Sequence, residues 1–155
     1  MRQLENSPTT VFVPAERGAL REAIQRATLN TTLVLSKGVY EESDVLLIDV
    51  EGLCIVAFDE IPMDGPAPTT IVGNSNLLTG GSPLFHIKAK DFCLKYVCLE
   101  LSSHSPGDCC LLISDKSEAS IENCRISSGS KFVGIEIGEY AKPKIKCCNI
   151  VGNKM

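Results

Sequence analysis

A short right-handed parallel β-helix with one N-terminal capping α-helix is the fold class this 155-residue chain predicts. Three observations lead there. Short runs of β-branched and apolar residues follow one another, bounded by Gly, Pro, Asn, Asp or Ser. Three stretches repeat one apolar pattern, placing Leu94, Ile121 and Ile145 in correspondence at steps of 27 and 24 residues. Aromatic residues make up only 5% of the chain and Trp is absent, so the core must be built from Val, Ile, Leu, Ala and Cys. Small branched side chains stacked in rows suit a narrow coil of strands.

The elements follow in order. Val11, Phe12 and Val13 form a strand closed by Pro14, within an N-terminal arm at 1–14. In the segment 15–29, Leu20, Ala23, Ile24 and Ala27 recur at i, i+3, i+4 and i+7, the apolar stripe of a helix. TTLVLSKGVYEE reads as a strand stopped at Gly38. Then come VLLIDV, LCIVAF, TTIVG, LFHIKA, FCLKYVCLEL, CCLLIS, ASIENCRI, VGIEIG and PKIKCCNIVG, which together make 30–155 a single domain of coils. Besides Leu94/Ile121/Ile145, the pattern aligns Val97/Cys124/Cys148, Leu99/Ile126/Ile150 and Ile87/Ile113/Ile137. A period in the mid-twenties made of strands alone is what one coil of a solenoid requires, on the order of 20–45 residues per unit. The helix is expected to cover the first coil, whose apolar rows and strand edges would otherwise be open. The other end stops at VGNKM with no amphipathic segment, so the last coil is expected to pack on another subunit or to continue in a longer protein.

Composition excludes several classes. The net charge is -4 and the pI near 5.2, with no basic patch of the kind that neutralises phosphates, so nucleic acid is not an expected partner. No apolar run approaches the roughly 20 residues of a membrane span, so no membrane partner is expected. MRQLENSPTT lacks an apolar signal region, which with Met1 as the true start predicts a cytoplasmic or nuclear protein. The cysteines are Cys54, Cys93, Cys98, Cys109, Cys110, Cys124, Cys147 and Cys148. They show no CxxC and no zinc-ligand spacing. Reduced, mostly buried thiols acting as small hydrophobes are expected, with metal binding or a redox role as the alternative.

GALREAIQRA followed by Gly38, Tyr40 and Glu42, and then by Thr70, Ile71 and Gly73, resembles the opening of pectin methylesterases and other pectin-lyase-like proteins. GIEIGEYAKPKIKCCNIVGN resembles the repeats of intracellular CASH-type β-helix domains, found in F-box and SHC-binding spindle proteins. The resemblance spans roughly residues 15 to 153. It implies a β-helix; it does not bring an active site with it. The esterase pattern needs glutamine donors on a Gln-Ala-Val-Ala-Leu-like strand, where this chain has Gly107-Asp108-Cys109-Cys110-Leu111-Leu112. The nucleophile motif Gly-x-Val-Asp-Phe-Ile-Phe-Gly has no counterpart.

Other chemistry fares no better. Asp108, Asp115, Glu118, Glu122 and Glu136 fall in different corners of the repeat, and no Asp-Asp pair occurs. Ser103 or Ser105 with His104 and Asp108 occupy one loop and lack a GxSxG elbow, so a solvated loop is expected rather than a triad. His86 is read as an outward strand residue. Thr79-Gly80-Gly81-Ser82 has no following Lys and helix, which makes it a turn and not a phosphate loop. Lys88, Lys90, Lys95, Glu122, Arg125, Lys142, Lys144 and Lys146 read as a solvated outer face, or as a charged surface for a partner. No catalytic, cofactor or metal residue is therefore assigned. The expected function is a non-catalytic protein-binding or scaffold module. The alternative is a divergent or truncated carbohydrate-active or carbohydrate-binding protein, with acidic carbohydrate as its ligand.

Overall fold

The computed structural model describes residues 8–42, 44–74, 83–102, 109–128 and 133–151. The chain opens with β1 (Thr9–Val13), α1 (Ala19–Arg26), β2 (Thr31–Leu35), β3 (Gly38–Glu42) and β4 (Leu46–Ile48). It continues with β5 (Cys54–Ala57), β6 (Thr69–Asn74), β7 (Pro83–Ile87), β8 (Phe92–Lys95), β9 (Cys98–Ser102) and β10 (Cys109–Ile113). The last strands are β11 (Glu118–Glu122), β12 (Arg125–Ser128), β13 (Val133–Ile137), β14 (Lys142–Lys146) and β15 (Asn149–Val151).

These strands form three parallel sheets: β1-β2-β5-β8-β11-β14, β3-β6-β9-β12-β15 and β4-β7-β10-β13. The chain visits the sheets in turn and then returns to the first, one coil further along. This is a parallel β-helix. Each strand pairs with its counterpart a coil away, which leaves no room for hairpins.

Register makes the core. Leu33, Ile55, Leu94, Ile121 and Ile145 lie side by side across the first sheet. Tyr40, Ile71, Leu99, Ile126 and Ile150 do so across the second. Ile48, Ile87, Ile113 and Ile137 do so across the third. These are the correspondences anticipated by the spacing of Leu94, Ile121 and Ile145. Because strand side chains alternate between faces, a register slip of one residue would turn a whole row outward.

Two columns of left-handed residues make the corners. Asn30, Gly52, Asp91, Lys116 and Tyr140 have φ of 61°, 75°, 57°, 65° and 61° and sit just before β2, β5, β8, β11 and β14. Tyr96, Asn123 and Cys147, at 62°, 54° and 53°, separate β8 from β9, β11 from β12 and β14 from β15. Their amides continue the stacking: Tyr96 N–H donates to Glu122 O and Asn123 N–H to Lys146 O. This corrects three readings: FCLKYVCLEL, ASIENCRI and PKIKCCNIVG are each two strands joined by a corner. Likewise Gly38 does not stop a strand; it opens β3, with its N–H donating to Pro68 O.

The N-terminal helix is short. It covers Ala19–Arg26 rather than 15–29, because Gly18 enters at φ 79° and Ala27 is already extended. Leu20 and Ile24 are buried, and Ala23 and Ala27 pack against the core cluster. Two polar ties hold this end. The Tyr40 hydroxyl lies 2.8 Å from both Val13 O and Ser36 O, joining β1 to the β2–β3 corner. Arg21 donates from Nε and Nη2 to the buried Glu42 carboxylate at 3.1 and 2.8 Å, from Nη1 to Val45 O at 3.0 Å and from Nη2 to Asp44 O at 2.7 Å.

Two stability predictions follow from this packing. Ile121 is fully buried while Ile145, its neighbour in the row, is 39% exposed. Ile121→Ala should cost about 2–5 kcal/mol, and Ile145→Ala clearly less, measured by urea unfolding of dilute protein. Burial raises the Glu42 carboxyl above its ordinary value, more than Arg21 lowers it. A carboxyl raised in the folded state contributes stability in full below the unfolded value, about 4.3, and loses it as pH rises through the folded value. Glu42→Gln should therefore gain on wild type as pH rises from about 4 towards neutrality. A gap moving the other way would mean that Arg21 outweighs burial.

Candidate functional site

The outer face of the first sheet brings most of the chemistry-bearing side chains together. Alternation along each strand turns Thr32 and Val34, Cys54 and Val56, Cys93 and Lys95, and Ser120 and Glu122 away from the core. Register then lines them up with β1 and β14. One row reads Thr10, Thr32, Cys54, Cys93, Ser120, Lys144. The next reads Phe12, Val34, Val56, Lys95, Glu122, Lys146. The face is apolar near the N-terminal coils and basic near the C-terminal ones. A shallow hollow of about 420 Å³ lies on the basic half, lined by Asp91, Cys93, Glu118, Ser120, Lys142 and Lys144 among others.

Electrostatics on this face are local. Lys95 Nζ stands 3.9 Å from Glu122 Oε2, which also accepts from Ser120 Oγ at 3.0 Å. Both ends of that ion pair are partly exposed, at 38% and 28%, and solvent screening holds it to about 0–1 kcal/mol. Glu118 lies beside Lys142 in register.

Elsewhere the sequence candidates separate. His86 sits on β7 in an outward row with Leu47, Leu112 and Glu136, and partial burial followed by the nearby Lys88 lowers its pKa. Arg125 belongs to no charged ridge. Its guanidinium donates to Gly65 O and Pro62 O at 3.0 and 3.4 Å, pinning the proline-rich loop to the second sheet. Asp115 accepts the Glu139 N–H at 2.7 Å and so shapes the corner before β14. Ser103, His104, Ser105, Gly107, Asp108 and the segment 79–82 lie outside the described residues. Among the described residues no three His, Cys, Asp or Glu side chains converge as a metal site would require.

The cysteines depart from expectation. Cys98, Cys110 and Cys124 are buried, but Cys54, Cys93 and Cys148 are half-buried and Cys147 is exposed. Spacing did not foretell their pairing. Cys54 and Cys93 are 39 residues apart in sequence and direct neighbours in register, which lets each thiol perturb the other. The S–H of Cys93 donating to the Cys54 sulfur lowers the Cys54 thiol to about 7. The same contact and burial push Cys93 upward. Cys124 and Cys148 also perturb each other. Cys124 would draw Cys148 down to about 6. Yet the Cys148 sulfur lies 3.3 Å from both Ile121 O and Lys146 O. Those acceptors favour the protonated thiol, and Cys124 is closed to solvent at 2% exposure.

No protein-family model matches the chain, and no curated protein does. Among solved structures, it is similar to the PL6 family alginate lyase AlyGC, with a TM-score of 0.68 and 17% identity over 91% of this chain and 20% of that one. A mutant of the same enzyme gives a TM-score of 0.58 and 19% identity over the same shares. The chain thus spans about a fifth of the length of the structures it matches. At this identity the likeness establishes the fold, an all-β parallel β-helix.

The rate of Cys54 alkylation by iodoacetamide, followed by peptide mass mapping, should inflect near pH 7. In Cys93→Ala, which removes the donor, the inflection should move up towards the ordinary thiol range of about 8.5.

Proposed function

We propose that this chain is a non-catalytic binding module whose docking surface is the coil formed by β13, β14 and β15. One observation supports this above others: the interior rows run out into solvent. Ile113, Ile121 and Ile126 are fully buried, whereas their successors Ile137, Ile145 and Ile150 are 50%, 39% and 41% exposed. Tyr140 adds a further exposed ring beside them. Aliphatic side chains patterned for an interior, beside edges of β13, β14 and β15 that pair with no further strand among the described residues, suit added strands, whether from a protein partner, a second copy or a continuation of the chain. In this reading the coils wind right-handed, as parallel crossovers do, and α1 closes the opposite end. The likeness of the second half to CASH-type repeats supports an intracellular recognition role.

A second reading is an acidic-carbohydrate binder or a divergent carbohydrate-active protein. It is favoured by the fold shared with an alginate lyase and by Lys95, Lys142, Lys144 and Lys146 on one face. The basic half of that face could receive carboxylates.

Sedimentation velocity across a concentration series should show association of wild type that Ile137→Lys with Ile145→Lys abolishes, while circular dichroism is unchanged. A partner captured by cross-linking at this coil would serve equally. A strictly monomeric chain with no cross-linked partner, yet one that binds uronate oligosaccharides and loses them with Lys144→Glu, would replace the first reading by the second.

A further inference from the structure

We propose that Cys54 and Cys93 are a modification site, closing a reversible disulfide between adjacent coils on the outer face of the first sheet. The inference is independent of the docking role.

The two residues are in-register partners on β5 and β8. Neighbouring strands lie roughly 4.7–4.9 Å apart, inside the Cα window of about 4.4–6.8 Å that a disulfide spans. Their side chains share the outward face of the sheet, and both are half-buried. Parallel side chains in register project side by side. Their Cβ atoms therefore stand near the strand spacing, wider than the roughly 3.8 Å mean of disulfides. A bond formed here pulls the coils slightly together and is strained. Strained, accessible disulfides are the readily reduced ones, which is why the link is reversible and not a structural staple.

The neighbourhood suits the chemistry. Cys93 lines a hollow in which Lys142 and Lys144 are balanced by Asp91 and Glu118, leaving an open polar approach for a small disulfide such as glutathione disulfide. The thiolate needed for attack is favoured at Cys54 by the Cys93 S–H. The remaining cysteines fit less well. The Cys124 sulfur lies 3.4 Å from Leu94 O and 3.3 Å from Glu122 O in a closed site. Cys98 and Cys110 are buried at 3% and 0% exposure.

The steps balance. The Cys54 thiolate attacks one sulfur of glutathione disulfide, whose S–S bond breaks and releases one glutathione thiolate. Cys93 gives its proton to solvent and attacks the Cys54 sulfur of the mixed disulfide. The Cys54–Cys93 bond forms and the second glutathione thiolate leaves. Two electrons pass to the oxidant, and the two protons lost by the protein thiols are taken up by the two glutathione thiolates.

The test incubates the full chain with glutathione disulfide, then alkylates it and maps peptides without reduction. Loss of alkylation at Cys54 and Cys93 together is expected, with a linked pair of their peptides two hydrogen atoms lighter, in monomeric protein. Added glutathione should restore both thiols. Cys93→Ser should instead trap a glutathione adduct on Cys54, and Cys124→Ser with Cys148→Ser should change neither result. Should Cys93→Ser fail to fold, the wild-type map alone decides. Cys54 and Cys93 remaining alkylatable while exposed Cys147 reacts, or linked only between molecules, would overturn the proposal.

Discussion

Stacking of each coil on the last, in parallel and in register, is the constraint on which this molecule depends. It satisfies the backbone, because the amides of one strand meet the carbonyls of its neighbour a coil away. It also puts chemically similar side chains next to one another. Leu33, Ile55, Leu94 and Ile121 all come to lie at 0% exposure by this means. A mismatch in a single coil would be felt by the coils on both sides, since each contacts only its neighbours. The left-handed corner residues serve the same end. They turn the chain within one or two residues while their amides keep the inter-coil spacing.

The same constraint sets what happens at the ends. At the N-terminal end, α1 and β1 lie against the first coil, and Tyr40, Arg21 and Glu42 tie them down with hydrogen bonds. At the C-terminal end the interior rows continue unchanged and become surface. What makes Ile121 a core residue makes Ile145 an exposed one, with no change in side-chain chemistry. Register also creates the thiol pair: it brings together two residues far apart in the chain by the rule that brings Ile55 beside Leu94.

Much of the fold was legible because interior rows demand aliphatic residues at matching places. Leu94, Ile121 and Ile145, and likewise Leu99, Ile126 and Ile150, repeat at one spacing, and the structure sets them side by side. The corners were less legible. Asn123 is a residue type that accepts a left-handed conformation, but Tyr96 and Cys147 occupy the equivalent positions. A tyrosine or cysteine is not a turn signal, so FCLKYVCLEL and PKIKCCNIVG each looked like one strand. The helix was placed correctly by its stripe, yet only the backbone at Gly18 and Ala27 shows how short it is.

By itself the sequence determined which side chains face inward and that coils follow one another at a period in the mid-twenties, because burial selects apolar residues at every second strand position. Only the tertiary structure decided which outward residues become neighbours. That depends on the lengths of the connections between coils, which carry no periodic signal of their own. The 39-residue separation of Cys54 from Cys93 matches neither the 27- nor the 24-residue step, so no spacing argument joins them. Parallel register does so physically, and it also carries the interior rows to Ile137, Ile145 and Ile150 in the last described coil, where they are partly exposed.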